Sequence, residues 1–300
     1  MTTHNSSTVV VGVDGSESAG EAVRWAARLV SGRGLELEIV HCLQAGALYY
    51  GGGLAGSDAL FEQIRQQGER LVATARDLAL SVDAALTVHT RVFTTAPPAG
   101  LLDRSKHVRM VVVGRSGAGG FTGMLVGATA STVASHAGCP VAVVRGRHGD
   151  GRVPLEGPVV VGVDCTLNSE AAIAAAFEEA AFREVPLVAV HAWNDVGYDP
   201  ADGTTLLMPY PESLEPTEER LLAQRLAGWQ EKYPEVEVRR VLVEDRPRSA
   251  LLDESDRAQL VVVGSRGRGG FAGMLLGSTS QALLQHASCP VLVVRPEAKR

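Results

Sequence analysis

The chain is poor in cysteine, short of positive charge and without a long hydrophobic run. Its four cysteines, at 42, 139, 165 and 289, form no C-x-x-C pair and no Cys/His cluster at zinc spacing, which excludes a disulfide scaffold and a structural metal site. A reducing cytoplasm is the expected setting. Thirty-four acidic residues against 28 basic ones leave a formal charge of -6, so no global positive field favours nucleic acid. No window holds 18 uninterrupted apolar residues, and Met1 to Thr8 runs straight into Val9-Val10-Val11 without the stretch a signal peptide needs. Neither membrane insertion nor export is expected.

Several catalytic and cofactor patterns are missing too. There is no G-x-x-x-x-G-K-[ST] loop, and neither first strand is followed by G-x-G-x-x-G. Gly114-Arg115-Ser116-Gly117-Ala118 fails as a nucleophile elbow, because Ala118 stands where a glycine is required and Arg266 replaces the serine in the second copy. The Ser-Gly-Gly-x-Asp-Ser loop of adenylating enzymes is absent after Gly12-Val13-Asp14.

What is present is a duplication. Val9-Val10-Val11-Gly12-Val13-Asp14 returns as Val159-Val160-Val161-Gly162-Val163-Asp164, 150 positions later. Residues 111–145 return as 261–295 with the same offset and 21 of 35 positions identical. A period of that size marks two fused domains rather than a stacked repeat. They are expected at 1–147 and 156–300, with 148–155 as linker inside the Gly/Pro-rich stretch from Gly146 to Pro158.

Within each copy, short β-branched runs alternate with helical patterning, which predicts an α/β fold. The expected strands are Thr8 to Val13, Leu35 to Cys42, Leu86 to Phe93, Val108 to Gly114 and Val141 to Arg145. Copy 2 offers Val159 to Val163, Leu187 to Ala192, Val236 to Val243, Gln259 to Gly264 and Val291 to Arg295. Lacking polar alternation, all are expected to be fully buried. Right-handed crossovers make each domain a doubly wound, Rossmann-like five-stranded parallel sheet of order 3-2-1-4-5, with helices on both faces. Gln44 to Asp58 and Asn194 to Pro216 read as loops over the site.

In such a sheet the ligand crevice lies beyond the carboxyl ends of the central strands. The first strand ends at Asp14 or Asp164, and the fourth at Gly114 or Gly264. From the latter runs Gly264-x-x-Gly267-x9-Gly277-Ser278, opening a helix whose exposed N–H groups and positive end suit an anion. A carboxylate opposite can accept from a ribose hydroxyl, so the pair implies a nucleotide. The competing reading makes the two aspartates helix caps acting with Ser16 or Thr166. His41, His191, His136 and His286 read as packed or helix-terminal histidines, and Cys139 and Cys289 as buried small residues.

The G-x2-G-x9-G-[S/T] spacing after the fourth strand, with Asp closing the first, resembles the nucleotide-binding universal stress proteins, and in particular their tandem subgroup, common in actinobacteria. The resemblance implies adenine contacts at Gly12, Val13 and Cys42, with Asp14 near adenine or ribose and Gly114 at the ribose. Gly117, Gly127, Ala128 and Thr129 would take the phosphates. Copy 2 would use Gly162, Val163, Asp164, Ala192, Gly264, Gly267, Gly277, Ser278 and Thr279. Ala128 departs from the pattern, standing where copy 2 has Ser278. The cofactor implied is ATP, with Mg²⁺ as its companion, although AMP and cyclic AMP fit the same residues. The expected role is a nucleotide-dependent stress regulator with a protein partner and no catalytic residue; a weak ATP hydrolase or a nucleotide-free scaffold are the alternatives. The apolar fifth strands are expected to pair about a pseudo-two-fold axis, with a homodimer on top.

Overall fold

The computed structural model describes residues 7–43, 57–117, 126–147, 151–193, 197–198, 205–206, 215–267 and 275–295. In the first copy the strands are β1 (Thr8–Gly12), β2 (Glu36–Cys42), β3 (Val88–Phe93), β4 (Met110–Gly114) and β5 (Val141–Val144). They stand in the order β3-β2-β1-β4-β5, and every pairing among them is parallel. The helices are α1 (Glu17–Val30), α2 (Ser57–Val82), α3 (Pro97–Arg104) and α4 (Ala128–His136). Neighbouring residues of a strand point to opposite faces. A Cβ at Gly68 of α2 would touch His41, and one at Gly100 of α3 would touch Cys42, so α2 and α3 cover opposite faces of β2.

The second copy repeats the plan. Its strands are β6 (Val159–Val163), β7 (Leu187–Trp193), β10 (Val238–Glu244), β11 (Leu260–Gly264) and β12 (Val291–Val294), ordered β10-β7-β6-β11-β12. Its helices are α5 (Glu170–Arg183), α6 (Glu215–Lys232), α7 (Pro247–Ser255) and α8 (Ser278–His286). By packing, the chain divides into two compact units. One comprises Met1–Val153 with Leu284–His286 and Pro290–Val293; the other comprises Pro154–Leu283 with Ala287–Cys289 and Val294–Arg300.

The expected doubly wound sheets are what the chain forms, for local reasons visible in α1. Ser16 caps it by accepting from Ala19 N at 3.2 Å, and Ala22, Val23, Ala26 and Val30 lie on its buried face. Gly32 and Gly34, both at positive φ, turn the chain out of it.

Two expectations need correction. The third strand of each copy is not fully buried: in β3, His89, Thr90 and Arg91 are exposed, and in β10, Arg239, Arg240 and Glu244 are. Both strands end the sheet order of their copy, where one side meets solvent. The two segments read as loops also contain regular structure. Ser57 and Asp58 begin α2, Glu215 and Pro216 begin α6, and the two-residue strands β8 (Gly197–Tyr198) and β9 (Thr205–Leu206) pair antiparallel. The remainder of those segments lies outside the described residues.

Candidate nucleotide site

The crevice forms where β1 and β4 stop. Val13 donates its N–H to Val40 O at 2.8 Å, leaving Asp14 as the first residue beyond the sheet. From β4 the chain turns back on itself, Gly127 N donating to Arg115 O at 2.8 Å. Gly127 then N-caps α4 in extended conformation and, being glycine, offers the helix's first N–H groups no side-chain cap of its own. These face a cleft of about 720 Å³ that is lined by Gly12, Val13, Asp14, Cys42, Gly114, Gly117, Gly127, Ala128 and Thr129. The nine positions named from the sequence in copy 1 are thus together in one cavity.

The second copy repeats the geometry. Gly277 N donates to Ser265 O at 2.7 Å, and α8 starts at Ser278 and Thr279 with no side-chain cap. Ser280 Oγ donates to Gly264 O at 2.7 Å, tying the helix start to the end of β11. Gly162 and Val163 end β6, Asp164 follows, and a Cβ at Gly267 would lie 3.5 Å from Asp164 Oδ2. Ala192 sits in β7 beside Val243 of β10.

In each aspartate one oxygen closes the local turn and the other is turned away from it. Asp14 Oδ1 accepts from Ser16 N at 3.0 Å and Ser16 Oγ at 2.6 Å; Asp164 Oδ1 accepts from Thr166 N at 2.9 Å and Thr166 Oγ1 at 2.8 Å. These are local turns that start a helix. The second oxygen turns toward the glycine loop, and Asp164 Oδ2 is buried without a hydrogen-bond partner among the described residues. Gly114 carries a structural load as well: a Cβ there would fall 2.6 Å from Ser18 O, so glycine lets β4 end close against α1.

His41 and His191 are packed, and His136 and His286 stand exposed in the last turns of their helices, the two kinds of place expected for them. His191 is fully buried and donates through Nδ1 to Val163 O at 2.8 Å; His41 does the same to Val13 O at 2.7 Å, although its ring also lines the cleft. His136 Nδ1 donates to Thr132 O at 2.9 Å at the end of α4. All four cysteines are buried, and none forms a disulfide among the described residues. Burial pushes the Cys42 thiol up to about 11 despite a hydrogen bond with Thr95, and the Cys139 thiol up to about 12. Burial, followed by the nearby charge of Arg266, lowers the pKa of Arg295.

One wall of the cleft escaped sequence reasoning. Ile64, Gln67, Gly68 and Leu71 come from α2 and Pro97 and Pro98 from α3. The signal was available: Glu62, Arg65 and Glu69 are spaced as helical ion pairs, and Arg65 bonds both carboxylates.

The family profile of the "Universal stress protein family" matches residues 5–145 and 157–295. The chain belongs to the universal stress protein family. It is 41% identical over 302 residues to universal stress protein Rv2623 of Mycobacterium tuberculosis, covering 98% of this chain and 99% of that one. It is 40% identical over 296 residues to a universal stress protein of Mycolicibacterium smegmatis, covering 96% of this chain and 97% of the other. Among solved structures, a universal stress protein from Archaeoglobus fulgidus superposes with a TM-score of 0.70 at 18% identity, covering 97% of this chain and 99% of that one. That degree of likeness speaks to the fold. No described helix is long and apolar enough to cross a membrane.

Proposed function

We propose that each copy binds an adenine nucleotide, ATP foremost, and that occupancy changes how this cytoplasmic universal stress protein docks on a partner protein. The observation that carries the reading is the second oxygen of Asp164. A buried carboxylate oxygen without a hydrogen bond is unfavourable by about 1 to 3 kcal/mol or more, and a ribose hydroxyl offers the missing donor. Within reach of the same turn lies Gly267, whose segment leads to the uncapped start of α8, and such a start suits phosphate oxygens. A cleft of about 720 Å³ in the first copy is in the usual range for small-molecule sites. Mg²⁺ would travel with ATP, held by the phosphates and neutralising their charge; no residue is assigned a catalytic step.

Mass spectrometry of whatever denaturation releases from freshly purified protein, followed by calorimetric titration with ATP, AMP and cyclic AMP, tests this reading. Adenine nucleotide in the released fraction and saturable heats are expected, with ATP the tightest. Asp14→Ala with Asp164→Ala should weaken ATP by about 1.5 to 3 kcal/mol. Flat titrations with all three nucleotides would remove the proposal.

A further inference from the structure

The turn that carries Asp164 is gripped from both sides. Before it, Val163 O accepts from His191 Nδ1 at 2.8 Å, and the other ring nitrogen lies 2.9 Å from Glu218 Oε2. After it, Cys165 O accepts from Arg225 Nε at 3.1 Å. A carbonyl cannot donate, so Nδ1 carries a hydrogen; a second hydrogen shared between Nε2 and Glu218 Oε2 fixes the ring that presents it. Glu218 and Arg225 both project from α6, seven residues and two turns apart, hence on one face.

The first copy lacks two of these side chains. His41 donates to Val13 O, but at the 150-residue offset Gly68 stands for Glu218 and Ala75 for Arg225. It also needs less, because the residue after Asp14 is Gly15, at φ 86°, which takes the left-handed turn without a Cβ to crowd it. Cys165 occupies that position at φ 57° with a side chain, in a region that disfavours every residue but glycine. The two differences go together: glycine with alanine in one copy, cysteine with arginine in the other.

We infer that Arg225, which grips one side of the turn while Glu218 acts through His191 on the other, is a positioning residue of the second nucleotide site. By holding the carbonyl of Cys165 it keeps that residue in its left-handed turn and aims Asp164 Oδ2 at the ribose hydroxyls of the ligand. An acceptor ordered before binding need not be ordered during it, so the clamp appears as affinity. The inference rests on the nucleotide reading and adds which residues set the aim.

Two-site calorimetry on the full chain with ATP and with 2′,3′-dideoxy-ATP tests it. Arg225→Met removes the donor and keeps a long stem. One of the two ATP affinities should fall about five- to tenfold and the other stay put, whereas dideoxy-ATP, which has no hydroxyl for Asp164, should change less than twofold at either site. Adding Cys165→Gly to Arg225→Met should restore ATP affinity, since glycine makes the turn unaided, as Gly15 does. Should Arg225→Met not fold, Arg225→Lys replaces it; lacking the guanidinium Nε, it is expected to show the same hydroxyl-dependent loss. Equal losses for both nucleotides, or no recovery with glycine, would overturn the positioning role. A wild-type chain that binds neither nucleotide would instead take away the reading beneath it.

Discussion

A methyl group added at Gly117 and one added at Gly267 meet different neighbours. At Gly117 it would stand 2.5 Å from Asp14 Oδ2 and force that carboxylate aside; at Gly267 the matching distance is 3.5 Å, ordinary contact. Neither glycine has a positive φ, so alanine suits both backbones. Gly117→Ala should therefore weaken ATP at the first site about tenfold, and Gly267→Ala weaken the second only about two- to threefold, with melting temperatures unchanged. Calorimetry beside thermal denaturation reads both quantities, and equal losses at the two sites would contradict the geometry. The buried thiols give a prediction in pH. An unfolded cysteine ionises near its ordinary value of 9.0, whereas folded Cys42 and Cys139 keep their protons to about 11 and about 12. Between those values the unfolded chain binds fewer protons than the folded one, so stability falls as pH rises; below about pH 9 their contribution is fully present. Urea midpoints measured from pH 8 to 10.5 should decline, and Cys42→Ala with Cys139→Ala should flatten the decline.

At the scale of elements, the copies fill the space between their first two helices differently. In copy 2, Phe177 of α5 is fully buried and stacks against Trp229 and Tyr233 at 6.3 and 5.9 Å between ring centroids. Trp229 Nε1 also donates to Glu170 Oε1 at 2.8 Å. The matching positions in copy 1 are Ala27, Ala79 and Asp83, so that aromatic stack has no counterpart there. Phe177→Ala should cost about 3 to 5 kcal/mol and lower the urea midpoint followed by tryptophan fluorescence; a loss under about 1 kcal/mol would mean the helices close over the gap. This packing was not legible in the sequence, because helical spacing marks α2 and α6 without saying which of their side chains meet the first helix of the copy. The strands were legible to within about two residues at their ends, since β-branched runs such as Val111-Val112-Val113 admit no other burial. So were the nine cleft positions of copy 1, all of which fall at strand ends or the start of α4. The exposure of β3 and β10 was legible and passed over: the expected order already put the third strand at an edge, and Leu86 to Phe93 and Val236 to Val243 carry Thr, His, Arg and Glu among their apolar residues.

For the whole molecule, we propose that the fifth strands associate. Val141–Val144 and Val291–Val294 are buried along their full length, although a fifth strand ends the order of its own sheet. Each half expressed alone would bare an apolar edge, and such an edge seeks another strand. Residues 1–150 and 151–300 made separately should dimerise or aggregate at concentrations where the full chain scatters light as a single species. Halves that remain monomeric at high concentration would refute the pairing.

The third strands present the opposite situation. β3 and β10 finish their sheets with polar and charged side chains, and two of these charges are tethered: Arg91 to the buried carboxylate of Glu38 at 2.8 Å, and Arg239 to Glu254 at 2.9 Å. A strand approaching either edge must displace or bury those ions to continue the backbone ladder, which is costly. The chain thus guards both of its third strands against runaway polymerisation, a protection that the uncharged fifth strands do not carry.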